Sequence, residues 1–150
     1  VVAFSLDGQW ALSGGFESTA RFWSVATGKD VDFDAHTHTY GGGLSPDGRL
    51  ALTAGGDQFV RLWNMAGPVE LARYAGHGGH VYAATFSPDG RRILSGDANG
   101  EVRLWDTKAA TELHCYRGHT RTISRLAFSP DGRYALSSAE DGVRLLGLPP

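Results

Sequence analysis

The residues of this chain that could do chemistry are its histidines and the acids and hydroxyls around them. The six histidines include close pairs, His36 with His38 and His77 with His80, and His114 stands beside Cys115 and before His119. Zinc needs four convergent ligands, or three and a water. The sequence offers pairs rather than a set, so no metal is expected, and the leftover His38 and His80 read as exposed turn residues. Ser or Thr, His and Asp also recur together, and these are the parts of a hydrolase triad. They recur once per repeat, however, and a nucleophile serving a single cleft has no reason to be written several times. The Asp-Gly pairs lack the clustered oxygen ligands of a calcium loop, and the 21 glycines include no phosphate-cradling pattern. No catalytic residue and no cofactor are expected.

The elements that must position these residues are written as a repeat. FSPDGR occurs at Phe86 to Arg91 and at Phe128 to Arg133, with near copies at Leu44 to Arg49 and Phe4 to Gln9. The aspartates of the four copies, Asp7, Asp47, Asp89 and Asp131, lie 40, 42 and 42 residues apart. Four units follow, at about 1–34, 35–75, 76–117 and 118–150.

The third unit is the clearest. A β-favouring run from Val81 to Phe86 stops at Ser-Pro-Asp-Gly, where Pro suits the second position of a tight turn and Gly its end. A second strand is predicted over 92–95, a third over 101–105 and a fourth over 113–116. In the third, Val102 and Leu104 alternate with Arg103 and Trp105, the period of a strand. No apolar spacing of three and four persists long enough for a helix. An all-β fold is predicted, and because each small sheet is apolar on both faces, the sheets must stack against one another. Gly41, Gly42 and Gly43 fall on a first strand and are expected to distort it.

A net charge of -2 and a pI near 6.3 give no electrostatic reason to expect nucleic acid or an anionic membrane as partner. No run approaches 18 apolar residues, and no signal-peptide pattern opens the chain. Cys115 is the single cysteine, which fits a reducing, cytoplasmic setting.

Gly76-His77 and Gly118-His119, with Trp23, Trp63 and Trp105 closing strands such as VRLW, resemble the WD repeat, a unit of about 40 to 45 residues that folds as a four-stranded propeller blade. The resemblance covers essentially the whole chain and implies an all-β propeller, here an incomplete arc of about four blades. It also implies a buried hydrogen-bond tetrad in each blade. One set is complete on this reading: His36, Thr53, Asp57 and Trp63, with Ala35 before the His. The next has His77, Ser95 and Trp105 with Asn99 at the acidic position, and the last has His119, Ser137 and Asp141 with Leu146 in place of Trp. The first has Ser13, Glu17 and Trp23 without a His. The arginines recurring in phase, Arg21, Arg61, Arg103 and Arg144, are expected to pack their stems between blades.

In the same phase, residue 1 falls inside an innermost strand and residue 150 follows a third strand. Propellers close with four to eight blades, so the expectation is a C-terminal portion of a longer ring, with upstream blades as one partner and both ends of the isolated arc prone to association. Function then rests on exposed loop positions that differ between units: Phe16, Tyr40, His80, Tyr82, Arg121, Arg125 and Glu140. The resemblance implies a noncatalytic scaffold for a protein or peptide. Two alternatives stay open: an accessory segment of a larger enzyme, such as a kinase or cytochrome-fused protein, and a self-assembling repeat fragment.

Overall fold

The computed structural model describes residues 1–67 and 69–150, and the described residues hold fifteen strands and no helix. The first sheet comprises β1 (Val2–Phe4), β2 (Trp10–Gly14), β3 (Thr19–Ser24) and β4 (Asp30–Asp34). The second comprises β5 (Thr39–Leu44), β6 (Leu50–Gly55), β7 (Val60–Asn64) and β8 (Val69–Tyr74). The third comprises β9 (Val81–Phe86), β10 (Arg92–Asp97), β11 (Val102–Asp106) and β12 (Glu112–Tyr116). The last has three strands, β13 (Ile123–Phe128), β14 (Tyr134–Ala139) and β15 (Gly142–Gly147). Every sheet is an antiparallel meander in chain order, and the first strands of neighbouring sheets lie against one another, so they line the inside of an open arc. These are the blades of an incomplete β-propeller.

The repeated turn explains why the chain reverses at the same place four times. Ser5, Ser45, Ser87 and Ser129 each donate their hydroxyl to the carboxylate of the aspartate two residues on. The same carboxylate oxygen accepts the amide of Gln9, Arg49, Arg91 or Arg133 at 3.0–3.1 Å. The glycine that follows each Asp sits at φ near +70°, where a Cβ would be strained. Side-chain and backbone bonds thus close each hairpin without outside help.

Buried apolar residues form three clusters, and each spans a joint between neighbouring blades. Leu12, Phe22 and Phe33 of the first blade meet Ala51 and Trp63 of the second. Leu52, Leu62 and Tyr74 of the second meet Phe86, Ile93 and Trp105 of the third. Leu94 and Leu104 of the third meet Ile123 and Ala135 of the fourth. The core therefore lies between sheets, as stacking of two-faced sheets requires.

Two sequence expectations are sharpened here. The glycine run distorts its strand only at Gly42, which sits at φ +152°, where a Cβ would meet the Leu52 carbonyl oxygen of the paired strand. Gly41, Gly42 and Gly43 stay in β5, and its register shift between Thr39 and Gly41 recurs at the same place in β9 and between Ile123 and Arg125 in β13, where no glycine stands. Gly41 is instead a close approach, because a Cβ there would lie 2.5 Å from the Tyr82 carbonyl oxygen of the next blade. The charged heads of three in-phase arginines stay within their own blades: Arg61 pairs with Asp57 and Glu70, Arg103 with Glu101 and Glu112, and Arg21 with Asp30 and Asp32. Opposite charges supplied by the adjoining turn and outer strand draw these three guanidiniums along their own blades.

Candidate functional site

In the second blade the Trp63 indole N–H donates to Thr53 Oγ1 at 2.8 Å, and Thr53 Oγ1 lies 2.8 Å from His36 Nε2. His36 Nδ1 lies 2.6 Å from Asp57 Oδ1. One proton arrangement satisfies all four groups: Thr53 donates to a bare Nε2, and Nδ1–H donates to the carboxylate. The ring is then neutral, in keeping with burial, which pushes its pKa down against the attraction of Asp57. Burial acts to raise the Asp57 pKa, but bonds from Arg61 and His36 outweigh it and hold the carboxyl below its ordinary range.

The third blade repeats this network with a different acid. Trp105 donates to Ser95 Oγ at 2.7 Å and His77 Nε2 lies 2.6 Å from the same oxygen. His77 Nδ1 meets Asp97, at 2.9 Å, and not Asn99, which is exposed. Asp97 stands at the end of β10, past the register shift, where its second oxygen accepts the amides of Asn99 and Glu101, both at 3.0 Å. The charge expected to be missing is present two residues earlier, so this tetrad is complete as well.

In the fourth blade His119 joins Ser137 at 2.9 Å and Asp141 at 2.6 Å, and Leu146 supplies no donor. The Thr120 amide, then His119, hold the Asp141 carboxyl down to about 2. In the first blade Trp23 donates to Ser13 at 2.8 Å, while Glu17 is exposed and makes no hydrogen bond among the described residues. Asp97 and Glu101 also lie close to His77 in a group that could hold a metal. Each already has partners, however, since Glu101 accepts from Arg103 and Arg117. Each of the three histidine networks ties the strands of one blade to the loop that enters it.

The exposed loop positions converge differently. The register shift leaves one unpaired residue on each of three inner strands: Tyr40, Tyr82 and Ser124. An extra residue in a strand re-aims its side chain. Tyr40 and Tyr82 stack with centroids 4.6 Å apart and planes 21° from parallel, and Phe16, 80 % exposed, meets Tyr40 edge-on at 5.9 Å. His38 lies 6.0 Å from the Tyr40 ring and His80 6.2 Å from it. Both tyrosines, with Arg125, line a cavity of about 600 Å³ along the inside of the arc. Arg121 and Glu140 are exposed and join no aromatic contact.

His38 and His80 are more than free turn residues. His38 Nδ1 lies 2.7 Å from the Phe16 carbonyl oxygen and His80 Nδ1 2.6 Å from that of Gly56, so each ring donates across a joint to the preceding blade. Thr122 donates to the Ala98 carbonyl at 3.4 Å in the same place. Within blades, the Gly56 amide donates to the His38 carbonyl and the Ala98 amide to that of His80. A hydrogen-bonded line thus runs across the loop face from the first blade to the last. The recurrence of a polar residue, His38, His80 or Thr122, one position before the first strand was the sequence signal for it.

No curated protein matches the chain as a significant relative. The family model described as "WD domain, G-beta repeat" matches residues 1–24, 31–64, 69–106 and 110–143; each of the last three matches begins at the outer strand of one sheet and runs on to the third strand of the next. Four matches that step once per blade, three of them carrying the His–Ser/Thr–acid network, make this chain a member of the WD-repeat family.

Proposed function

We propose that the chain is a noncatalytic scaffold that holds a protein or peptide partner on its loop face, against Phe16 and the Tyr40–Tyr82 stack. WD-repeat domains generally serve as protein-interaction scaffolds and are generally noncatalytic, and no helix among the described residues is long and apolar enough to cross a membrane. The observation that carries the reading is an aromatic shelf presented by strand irregularities and tethered loops. Exposed aromatics on a rigid base anchor interfaces with little ordering on binding. Arg125 at the cavity wall and the outlying Arg121, His80 and Glu140 would form a polar rim.

Panning a displayed peptide library on the immobilised chain tests this. Peptides enriched on the wild type should lose affinity by tenfold or more, about 1.4 kcal/mol, on a Phe16→Ala, Tyr40→Ala, Tyr82→Ala triple variant that keeps its circular dichroism. Enriched peptides that bind both proteins equally would place the partner elsewhere.

A further inference from the structure

Three of the first strands carry the same irregularity, and its residue changes character once. Tyr40, Tyr82 and Ser124, each 42 residues from the next, are the unpaired residues of β5, β9 and β13. The strands that carry them lie side by side, so the three positions form one row across the joints. Its first two members are rings stacked 4.6 Å apart. The third is a serine, exposed where the tyrosines are half-buried.

The stack therefore stops one place short of the end of its row. Tyr82 and Ser124 line the same cavity, so the place that a third ring would take beside Tyr82 is open space. The residues that frame it belong to the third and fourth blades, on the two sides of an internal joint. The fourth blade keeps what holds the row in position, the register shift and the tether of Thr122 to the Ala98 carbonyl at 3.4 Å. It drops only the rings, the tyrosine and the histidine two residues before it.

Two hydroxyls set the chemistry of this slot. Ser124 Oγ donates to the Ser138 carbonyl at 3.0 Å and lies 3.1 Å from Ser138 Oγ. With the Ser124 proton given to the carbonyl, the proton between the two oxygens is that of Ser138. Both protons are spent, and what the slot offers at its base is lone pairs. A wholly apolar ring would cover them without a partner, which is costly. A phenol O–H or an indole N–H can donate to them while the ring stacks. Arg125, exposed and lining the same cavity, adds a cation that an electron-rich ring attracts.

We propose that this slot receives a tyrosine or tryptophan side chain of the bound peptide, stacked on Tyr82 as the third ring of the row and donating to the serine oxygens. The proposal rests on the reading of the loop face as a peptide-binding surface, and it gives that peptide an anchor. A leucine would fill the space but neither stack nor donate. Phe16 meets Tyr40 at one end of the row and the slot lies at the other, so the bound segment runs across the joints from the first blade towards the fourth.

Displayed peptide libraries whose central residue is fixed as Trp, Tyr, Phe or Leu, panned on the chain, test this. The Trp and Tyr libraries should yield the binders. In those binders, replacing the central residue by Phe should weaken affinity by about threefold to tenfold, the loss of one hydrogen bond, and replacing it by Leu by about tenfold or more. Ser124→Tyr puts in the slot a residue that the same register position already holds in two blades, so the variant should fold, and it should cost the same peptides about tenfold or more. The replacements within the peptide carry the test should that variant unfold. Peptides that need Phe16, Tyr40 and Tyr82 yet accept Leu, or bind Ser124→Tyr undiminished, would overturn the slot and leave the scaffold reading standing. Peptides that are indifferent to the triple variant as well would overturn both.

Discussion

Replacing Asp97 tests the tetrad reading most directly, because the acid found by structure and the residue expected from sequence lie two positions apart. Asp97 is fully buried and accepts from three donors, the His77 ring and the amides of Asn99 and Glu101. Asp97→Ala strands all three. Bonds to a charged acceptor contribute about 1.5–3 kcal/mol each, but they are not additive once water and neighbours respond. Removing one member of a buried pair costs about 3–5 kcal/mol in all, and with a urea slope of about 2 kcal/mol/M the midpoint should fall by about 1.5–2.5 M. Asn99→Ala removes an exposed side chain and should change stability by about 0.5 kcal/mol or less. Urea titration by circular dichroism, with hydrogen exchange resolved over the third sheet, reads both. Repeat arrays can unfold blade by blade, so the exchange data decide where the loss falls. If Asn99→Ala costs as much as Asp97→Ala, the assignment of Asp97 to the tetrad is wrong.

Two further outcomes follow from the geometry. Gly41→Ala would press a Cβ against the Tyr82 carbonyl, an overpacking that should cost about 1–3 kcal/mol, whereas Gly43→Ala enters open space and should be near neutral by thermal melting. Acid should weaken the fold in two stages. The lowered pKa of His36 means the unfolded state takes up the proton first, so loss begins as pH falls below about 6.5. Asp57, Asp97 and Asp141 have folded pKa values below their unfolded ones, so their contribution is full above about pH 4 and fades below it, for Asp141 until about pH 2. A melting temperature that stays flat from pH 7 to 2.5 would contradict both stages.

The fold was legible because it is written four times. The Asp-Gly ruler fixes the turns, and the alternation of Val102, Arg103, Leu104 and Trp105 fixes which side chains share a face. Aligning by position failed at the third acid for a physical reason. Ser95 to Trp105 spans the same number of residues as Thr53 to Trp63, and β10 ends two residues past its hydroxyl just as β6 does. Yet the third acid is the last residue of its strand, where β6 has Gly55, rather than two residues on in the turn, and a carboxylate can reach the same imidazole from either place. The period also brings Tyr40 and Tyr82 into equivalent positions. It does not reveal that both are the unpaired residue of a bulge, because that depends on how the partner strand pairs. The arginines show a similar limit: recurrence says that a residue matters to every blade, and only the neighbouring acids, Glu70 or Glu112, say where its charged head is held.

The hydrogen-bonded line across the loop face has an evolutionary consequence. Its acceptors at positions 16, 56 and 98 are main-chain carbonyls, so the side chains there, Phe16, Gly56 and Ala98, take no part in it. Those three sites can be rewritten without loosening the tether beneath them. A mutation that changes what the face recognises is thereby uncoupled from one that changes how firmly the blades are joined, and a duplicated unit can acquire a new ligand while inheriting its seam unchanged.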